Sequence, residues 1–145
     1  MRLSSLIGDA AAQGEVTGFA IDNRKVAQGT IFGAFQGARV NGEDFIADAI
    51  AAGAVAIVAR PEAQVDGAYH VRADNPRKTF GQLAARFFGP FPDTNVAVTG
   101  TNGKTSCVEL TRQLWRMAGL SAASIGTLGI TTSDEQVTTG MTTPD

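Results

Sequence analysis

Hydrophobic and polar positions alternate along this chain with two periods, and together they predict a mixed α/β protein. Leu3 to Ile7 reads as a helical turn. Gly18-Phe19-Ala20-Ile21-Asp22 and Thr30-Ile31-Phe32-Gly33-Ala34-Phe35 read as strands, the second followed by the turn-rich stretch Gln36 to Gly42. From Glu43 the period lengthens: Phe45, Ile46, Ala49 and Ile50 recur at spacings of three and four, as on one helix face, and Gly53 ends that helix. Ala54-Val55-Ala56-Ile57-Val58 is a short, unbroken apolar run, the pattern of a strand buried on both faces. Strand, helix, strand in that order is the signature of an α/β layer.

Further along, Pro61 to Gly67 reads as a loop and Ala68-Tyr69-His70-Val71 as a brief strand. Asp74 or Asn75 can cap a helix that Pro76 opens, with Phe80, Leu83, Ala84, Phe87 and Phe88 as its apolar face. Gly89-Pro90-Phe91-Pro92 stops that helix and places a domain boundary, dividing the chain into 1–90 and 91–145. Beyond it, Asn95-Val96-Ala97-Val98-Thr99 is expected to be a strand. Lys104 to Ala118 is expected to be a helix that buries Cys107, Leu110, Leu114, Trp115 and Ala118. Ala122 to Ile125 and Leu128 to Thr132 read as further short strands. The second part holds only about fifty residues, so it is expected to be an incomplete domain.

Composition narrows the class. The 145 residues are 43% hydrophobic and 18% charged, which excludes wholesale disorder and a fibrous chain. Twelve basic against 14 acidic side chains leave a net charge of −2, with no basic surplus to attract nucleic acid. Cys107 is the single cysteine, so an intrachain disulfide is excluded. No apolar run approaches the ~18 residues of a membrane span. The start of the chain lacks a signal-peptide core, and a cytoplasmic location without membrane partners is expected. Glycine, at 17 residues, is the unusual count and directs attention to places where backbone must approach a ligand.

One such place is Thr99-Gly100-Thr101-Asn102-Gly103-Lys104-Thr105-Ser106, set between a predicted strand and a predicted helix. Backbone N–H groups at such a turn converge on an anion, and the helix dipole adds to them. Gly100, Thr101, Asn102 and Gly103 would shape the cradle, Lys104 would reach the terminal phosphates, and the Thr105 hydroxyl would ligate Mg²⁺, with Ser106 beside it. Val98 stands where the strict phosphate-loop pattern has its first glycine, so this is a tighter variant.

These residues resemble the ATP loop of the Mur ligases, the ATP-dependent amide-forming enzymes of peptidoglycan synthesis. The first part of the chain resembles the same family independently. It carries Ile21-Asp22-Asn23-Arg24-Lys25-Val26, Gly29-Thr30-Ile31-Phe32-Gly33-Ala34, Gly37-Ala38-Arg39-Val40-Asn41-Gly42-Glu43-Asp44-Phe45-Ile46, and Ala49 with Gly53-Ala54, in the order of the family's UDP-binding domain. Asn23 stands where the family usually has serine. Ile125-Gly126-Thr127-Leu128-Gly129 and Thr142-Thr143-Pro144-Asp145 resemble the member that adds the third peptide residue.

The resemblance implies an N-terminal UDP-binding α/β domain followed by the truncated start of a P-loop ATP-binding α/β domain. It implies ATP and Mg²⁺ as cofactors, and UDP-N-acetylmuramoyl-L-alanyl-D-glutamate as the bound substrate. In the implied reaction ATP phosphorylates the γ-carboxyl of the D-glutamyl residue. The amine of a diamino acid, meso-diaminopimelate or L-lysine, then forms the amide with release of ADP and phosphate. Asn23, Arg24, Ala38, Arg39, Val40 and Asn41 match segments around the uridine diphosphate, and Thr142 and Thr143 match threonines that hold the muramoyl dipeptide. None of the family's further metal ligands or its amino-acid-binding domain has a counterpart in these residues, so the chain alone is expected to be inactive and no residue is assigned as catalytic.

Blander readings cover the remaining features. A surface ion pair or a solvated side chain accounts for Arg24 and Arg39 equally well. Asp74-Asn75-Pro76-Arg77 spells a tetrapeptide that reads the amino acid in the C-terminal domain of some relatives, but here helix capping explains it. His70 reads as structural, Cys107 as a small buried hydrophobe, and Asp134 and Glu135 as solvated turn residues. Trp115 and Phe80, Phe87 and Phe88 read as core. Alternative functions are a MurF-type or other Mur ligase, a folylpolyglutamate synthetase relative, a stand-alone UDP-binding module, and an unrelated phosphate-loop NTPase.

Overall fold

The computed structural model describes residues 1–37 and 40–137. The chain divides into two units, Met1–Phe91 and a second that begins at Pro92.

The first unit contains α1 (Leu3–Ile7), β1 (Gly18–Ala20), β2 (Thr30–Gly33), α2 (Ile46–Ala51), β3 (Ala56–Ala59), β4 (Tyr69–Arg72) and α3 (Pro76–Phe88). Short 3-10 turns at Asn23–Lys25 and Gly42–Phe45 complete it. All four strands are parallel and lie in chain order, β1-β2-β3-β4. The register pairs Phe19 with Ile31, Ile31 with Ala56, and Ile57 with His70. Every residue of the two central strands is buried, as their unbroken apolar runs require.

Alternate side chains point to opposite faces of a strand, and they build two separate cores. Ile31, Ala56, Val58 and Val71 pack on one face with Leu3, Leu6 and Val16 and with Leu83 of α3. Phe32, Ala34, Ile57 and Ala59 pack on the other with Ile46 and Ala49 of α2. Residues of all three strand-to-strand connections, such as Val26, Ile50 and Val65, lie against this second core. A chain-ordered parallel sheet with right-handed crossovers must place its connections on one face in this way. The first and last helices are left to cover the other face.

Helix α3 follows its sequence signals. The Asn75 side chain accepts the Lys78 N–H at 3.1 Å, and Pro76 occupies the first helical position. Phe80 and Phe87 set their rings edge-on against Phe19 at 5.3 and 5.4 Å. Phe88 departs from its expected core role: its side chain is exposed. Its ring meets Phe19 and Phe87 at the rim, where β1 is the edge strand of the sheet among the described residues.

The second unit contains α4 (Lys104–Met117), then β5 (Ser124–Gly126), β6 (Gly129–Thr131) and β7 (Gln136–Val137). These three strands form an antiparallel sheet in the order β5-β6-β7. Gly126 pairs with Gly129 across the two-residue turn Thr127-Leu128, and Gly129 takes a φ of +96°.

Two expectations for this unit are corrected. Residues 95–99 form no strand, because a strand exists only through a ladder and no described segment pairs with them. Helix α4 forms but buries none of its side chains fully. Cys107, Leu110, Leu114 and Ala118 are exposed, and Trp115 is half-buried. A helix stripe is buried only when another layer covers it, and among the described residues no sheet covers this one.

Candidate functional site

The loop entering α4 is shaped by two glycines. Gly100 has a φ of +147° and Gly103 a φ of +76°, which side-chain-bearing residues rarely adopt. A Cβ at Gly103 would meet open space, so the requirement there is torsional rather than steric. Gly103 also caps α4 without a side-chain acceptor, and the first helical bond runs from the Cys107 N–H to the Gly103 carbonyl at 2.9 Å. The N–H groups of Lys104, Thr105 and Ser106 therefore begin the helix without side-chain acceptors, at the positive end of its dipole. The Lys104 Nζ curls back over the loop, donating to the Gly100 carbonyl at 2.5 Å and lying 3.5 Å from that of Thr101. Thr101, Asn102, Thr105 and Ser106 are exposed around it. The arrangement offers a cation and a set of backbone donors to one anion.

Behind the loop, the Glu109 carboxylate accepts a hydrogen bond from the Ser124 hydroxyl of β5. It also pairs with Arg112 at 2.8 Å. These donors, Ser124 first, hold its carboxyl below the usual range. The contact joins α4 to the hairpin.

In the first unit, the segments matched to uridine diphosphate follow the carboxyl ends of strands, the edge at which parallel α/β sheets receive ligands. After β1, the Asp22 carboxylate accepts the Arg24 backbone N–H at 3.0 Å and the Arg24 Nε and Nη2 at 2.9 and 2.7 Å. Those hydrogen bonds pull the Asp22 carboxyl down to about 2. Arg24 is thus engaged in the surface ion pair that was its blander reading, and Asn23, half-buried, opens the 3-10 turn.

After β2 the described residues on either side of 38–39 bond to each other. The Gly37 N–H donates to the Val40 carbonyl at 3.0 Å, and the Gly42 N–H donates to the Phe35 carbonyl at 2.8 Å. Asn41 uses its side chain locally: its Oδ1 accepts the Glu43 N–H at 3.2 Å and its Nδ2 donates to Asp44 at 3.3 Å. Val40 is exposed. Ala38, Arg39, Thr142 and Thr143 lie outside the described residues.

After β3, Arg60 forms a fork-to-fork pair with Glu43, with two contacts of 2.8 Å. That pair lowers the Glu43 carboxyl and raises Arg60. His70 Nε2 lies 3.1 Å from the Arg60 carbonyl, in the structural role expected for it. After β4, Arg77 at the start of α3 reaches back to the loop after β2. It donates to the Gln36 carbonyl at 3.2 Å and stands 4.9 Å over the Phe35 ring. The sequence does not single out Arg60, and it offers Arg77 only as the last residue of the tetrapeptide that helix capping explains. The available signal for Arg77 is that a cation in the first turn of a helix opposes the dipole and needs another reason to be there.

Comparison with known proteins places this geometry. Residues 15–88 match the pattern that describes the Mur ligase family, catalytic domain. A UDP-N-acetylmuramoyl-L-alanyl-D-glutamate–2,6-diaminopimelate ligase of Zymomonas mobilis subsp. mobilis is 65% identical over 130 residues, covering 90% of this chain and 27% of that protein. The ligase of the same name from a Chelativorans species is 45% identical, covering 97% of this chain and 29% of that protein. A solved structure of such a ligase superposes with a TM-score of 0.80 at 28% identity, over all of this chain and 31% of the other. The MurF ligase of Thermotoga maritima, in complex with ADP, gives 0.57 at 33% identity over 68% of this chain and 23% of its own. The chain spans between a quarter and a third of the length of these two sequence relatives. A four-stranded parallel unit within the matched residues 15–88, followed in a 65% identical frame by the glycine-lysine loop that opens α4, leads to one assignment: the chain belongs to the Mur ligase family.

Proposed function

We propose that this chain is the amino-terminal part of an ATP-dependent ligase that joins 2,6-diaminopimelate to UDP-N-acetylmuramoyl-L-alanyl-D-glutamate. The carrying observation is the phosphate loop, with Lys104 folded over Gly100 and Thr101, in a chain 65% identical to a ligase of that name. The relatives' names favour diaminopimelate over lysine as the incoming amine. In this reading residues 1–90 are the UDP-binding domain and 91–145 open the ATP-binding domain, in the cytoplasm.

Each part of the loop has a task in that reading. The Lys104 ammonium exchanges its carbonyl partners for the terminal phosphates, and the N–H groups at the start of α4 take the remaining phosphate oxygens. The ADP complex of the MurF relative supports an adenine nucleotide as the loop's ligand. Among the described residues no group of three or more His, Cys, Asp or Glu side chains could hold a metal. In this reading the exposed Thr105 hydroxyl would be the protein's ligand to Mg²⁺, with phosphate oxygens and water taking the remaining positions. The bound nucleotide and cation would supply the phosphoryl group that activates the substrate carboxylate and the charge that screens its transfer. Asn23, Arg24, Ala38, Arg39, Val40 and Asn41 would surround the uridine diphosphate, and Thr142 and Thr143 the muramoyl dipeptide.

Calorimetric titration of the 145-residue chain with UDP, and separately with ATP and Mg²⁺, tests the reading. Two independent binding events are expected, with no amide formed when both substrates and the diamino acid are supplied. Absence of heat with UDP from folded protein would overturn the first-domain assignment, and sustained amide formation would overturn the inactivity of this portion.

A further inference from the structure

The aromatic residue at the base of the loop after β2 is fixed on several sides. The Phe35 ring folds back over β2, where a Cβ on Gly33 would lie 2.5 Å from its Cζ, so only glycine leaves it room. The Phe80 ring of α3 meets it edge-on at 5.4 Å, and the Arg77 guanidinium stands over it at 4.9 Å. Arg77 also donates to the Gln36 carbonyl, one residue further on. The backbone so fixed closes the loop, because the Phe35 carbonyl accepts the Gly42 N–H and Gln36 bridges to Asn41. Arg77 occupies the second position of α3, where its charge opposes the helix dipole. The helix itself therefore gives no reason for a cation there, whereas the loop gives two.

We propose that Arg77 is a positioning residue for the uridine nucleotide: through the Phe35 ring and the Gln36 carbonyl it holds residues 35–37 and 40–42, the described ends of the loop after β2, in place for binding. The inference rests on the reading of that loop as the UDP site. It adds a residue from α3, outside every segment matched to the nucleotide. Arg77 acts through the loop and needs no contact with the ligand.

Three measurements on the 145-residue chain test it: UDP calorimetry, thermal melting, and amide hydrogen exchange at Gly37 and Gly42. Arg77→Met keeps the length and removes the charge and the donor. It is expected to bind UDP roughly tenfold more weakly, to leave the melting temperature close to wild type, and to speed exchange at both glycines. Arg77→Lys keeps a cation for the ring but loses the planar fork, so it should fall between the two. It also serves as the test variant if the Met variant does not fold. Equal UDP affinity in wild type and variant overturns the proposal. Weaker binding with unchanged exchange at Gly37 and Gly42 also overturns it, by making Arg77 a direct ligand contact. If wild type itself binds no UDP, the reading of the site fails, and the exchange data still decide whether Arg77 holds the loop.

Discussion

Two glycines should respond to alanine with opposite signs. Gly42 sits where the loop after β2 returns to the strand, and an added Cβ would lie 2.7 Å from both the N and O of Phe35. Those are backbone atoms of a residue held by three neighbours, so relief requires moving the loop. Overpacking of this kind costs about 1–3 kcal/mol. Weakening the hydrogen bond from Gly42 to Phe35 adds about 0.5–1.5 kcal/mol, and stiffening the unfolded chain returns about 0.4–1 kcal/mol. The net is a loss of roughly 0.5–4 kcal/mol, which in a unit of this size lowers the melting temperature by roughly 2–30 °C. Gly81 lies inside α3, and a Cβ there would meet nothing within 4 Å. Gly81→Ala should therefore stabilise by about 0.5–1 kcal/mol, through helix propensity alone. Thermal and urea unfolding of the two variants, followed by far-ultraviolet circular dichroism, measures both. UDP titration should show weakening for Gly42→Ala only. A Gly42→Ala protein that melts at or above wild type, or a Gly81→Ala protein that melts below it, would refute this account of the loop.

Other consequences are as specific. Lys104→Met should weaken ATP binding by roughly ten- to a hundredfold, from the loss of a charged donor to phosphate; a melting temperature close to wild type is expected, since among the described residues Lys104 bonds only carbonyls of its own loop. Because Arg60 lowers the Glu43 carboxyl, the pair's contribution to stability is present above the ordinary value of 4.5 and disappears as pH falls through the lowered one. The stability gap between wild type and Glu43→Gln should accordingly be widest near neutral pH and narrow in acid, as urea midpoints across that range would show. Leu83→Ala, which empties a buried site, should cost about 2–5 kcal/mol. Leu114→Ala on the uncovered face of α4 should stay within about 0.5 kcal/mol, and an equal cost for both in urea unfolding would contradict the assigned burial.

Much of the first unit is legible in its residues, because its elements advertise what they bury. The unbroken runs around Ile31 and Ile57 require a sheet covered on both faces, and Asn75 with Pro76 marks the start of α3 within one residue. The glycine loop with Lys104 is legible for a similar reason: its chemistry is local, carried by neighbouring backbone and one side chain. The pairs Glu43 with Arg60 and Arg77 with Gln36 are not legible, since 17 and 41 residues separate their partners and no periodicity relates them.

The same division runs through the second unit. The sequence by itself determines that α4 is a helix with one apolar side, because helical spacing is a property of neighbouring residues. Whether Leu110, Leu114 and Cys107 are buried, and whether residues 95–99 become a strand, is decided only by tertiary structure. Burial and a hydrogen-bonded ladder both require a second surface, which the local pattern can call for but cannot supply.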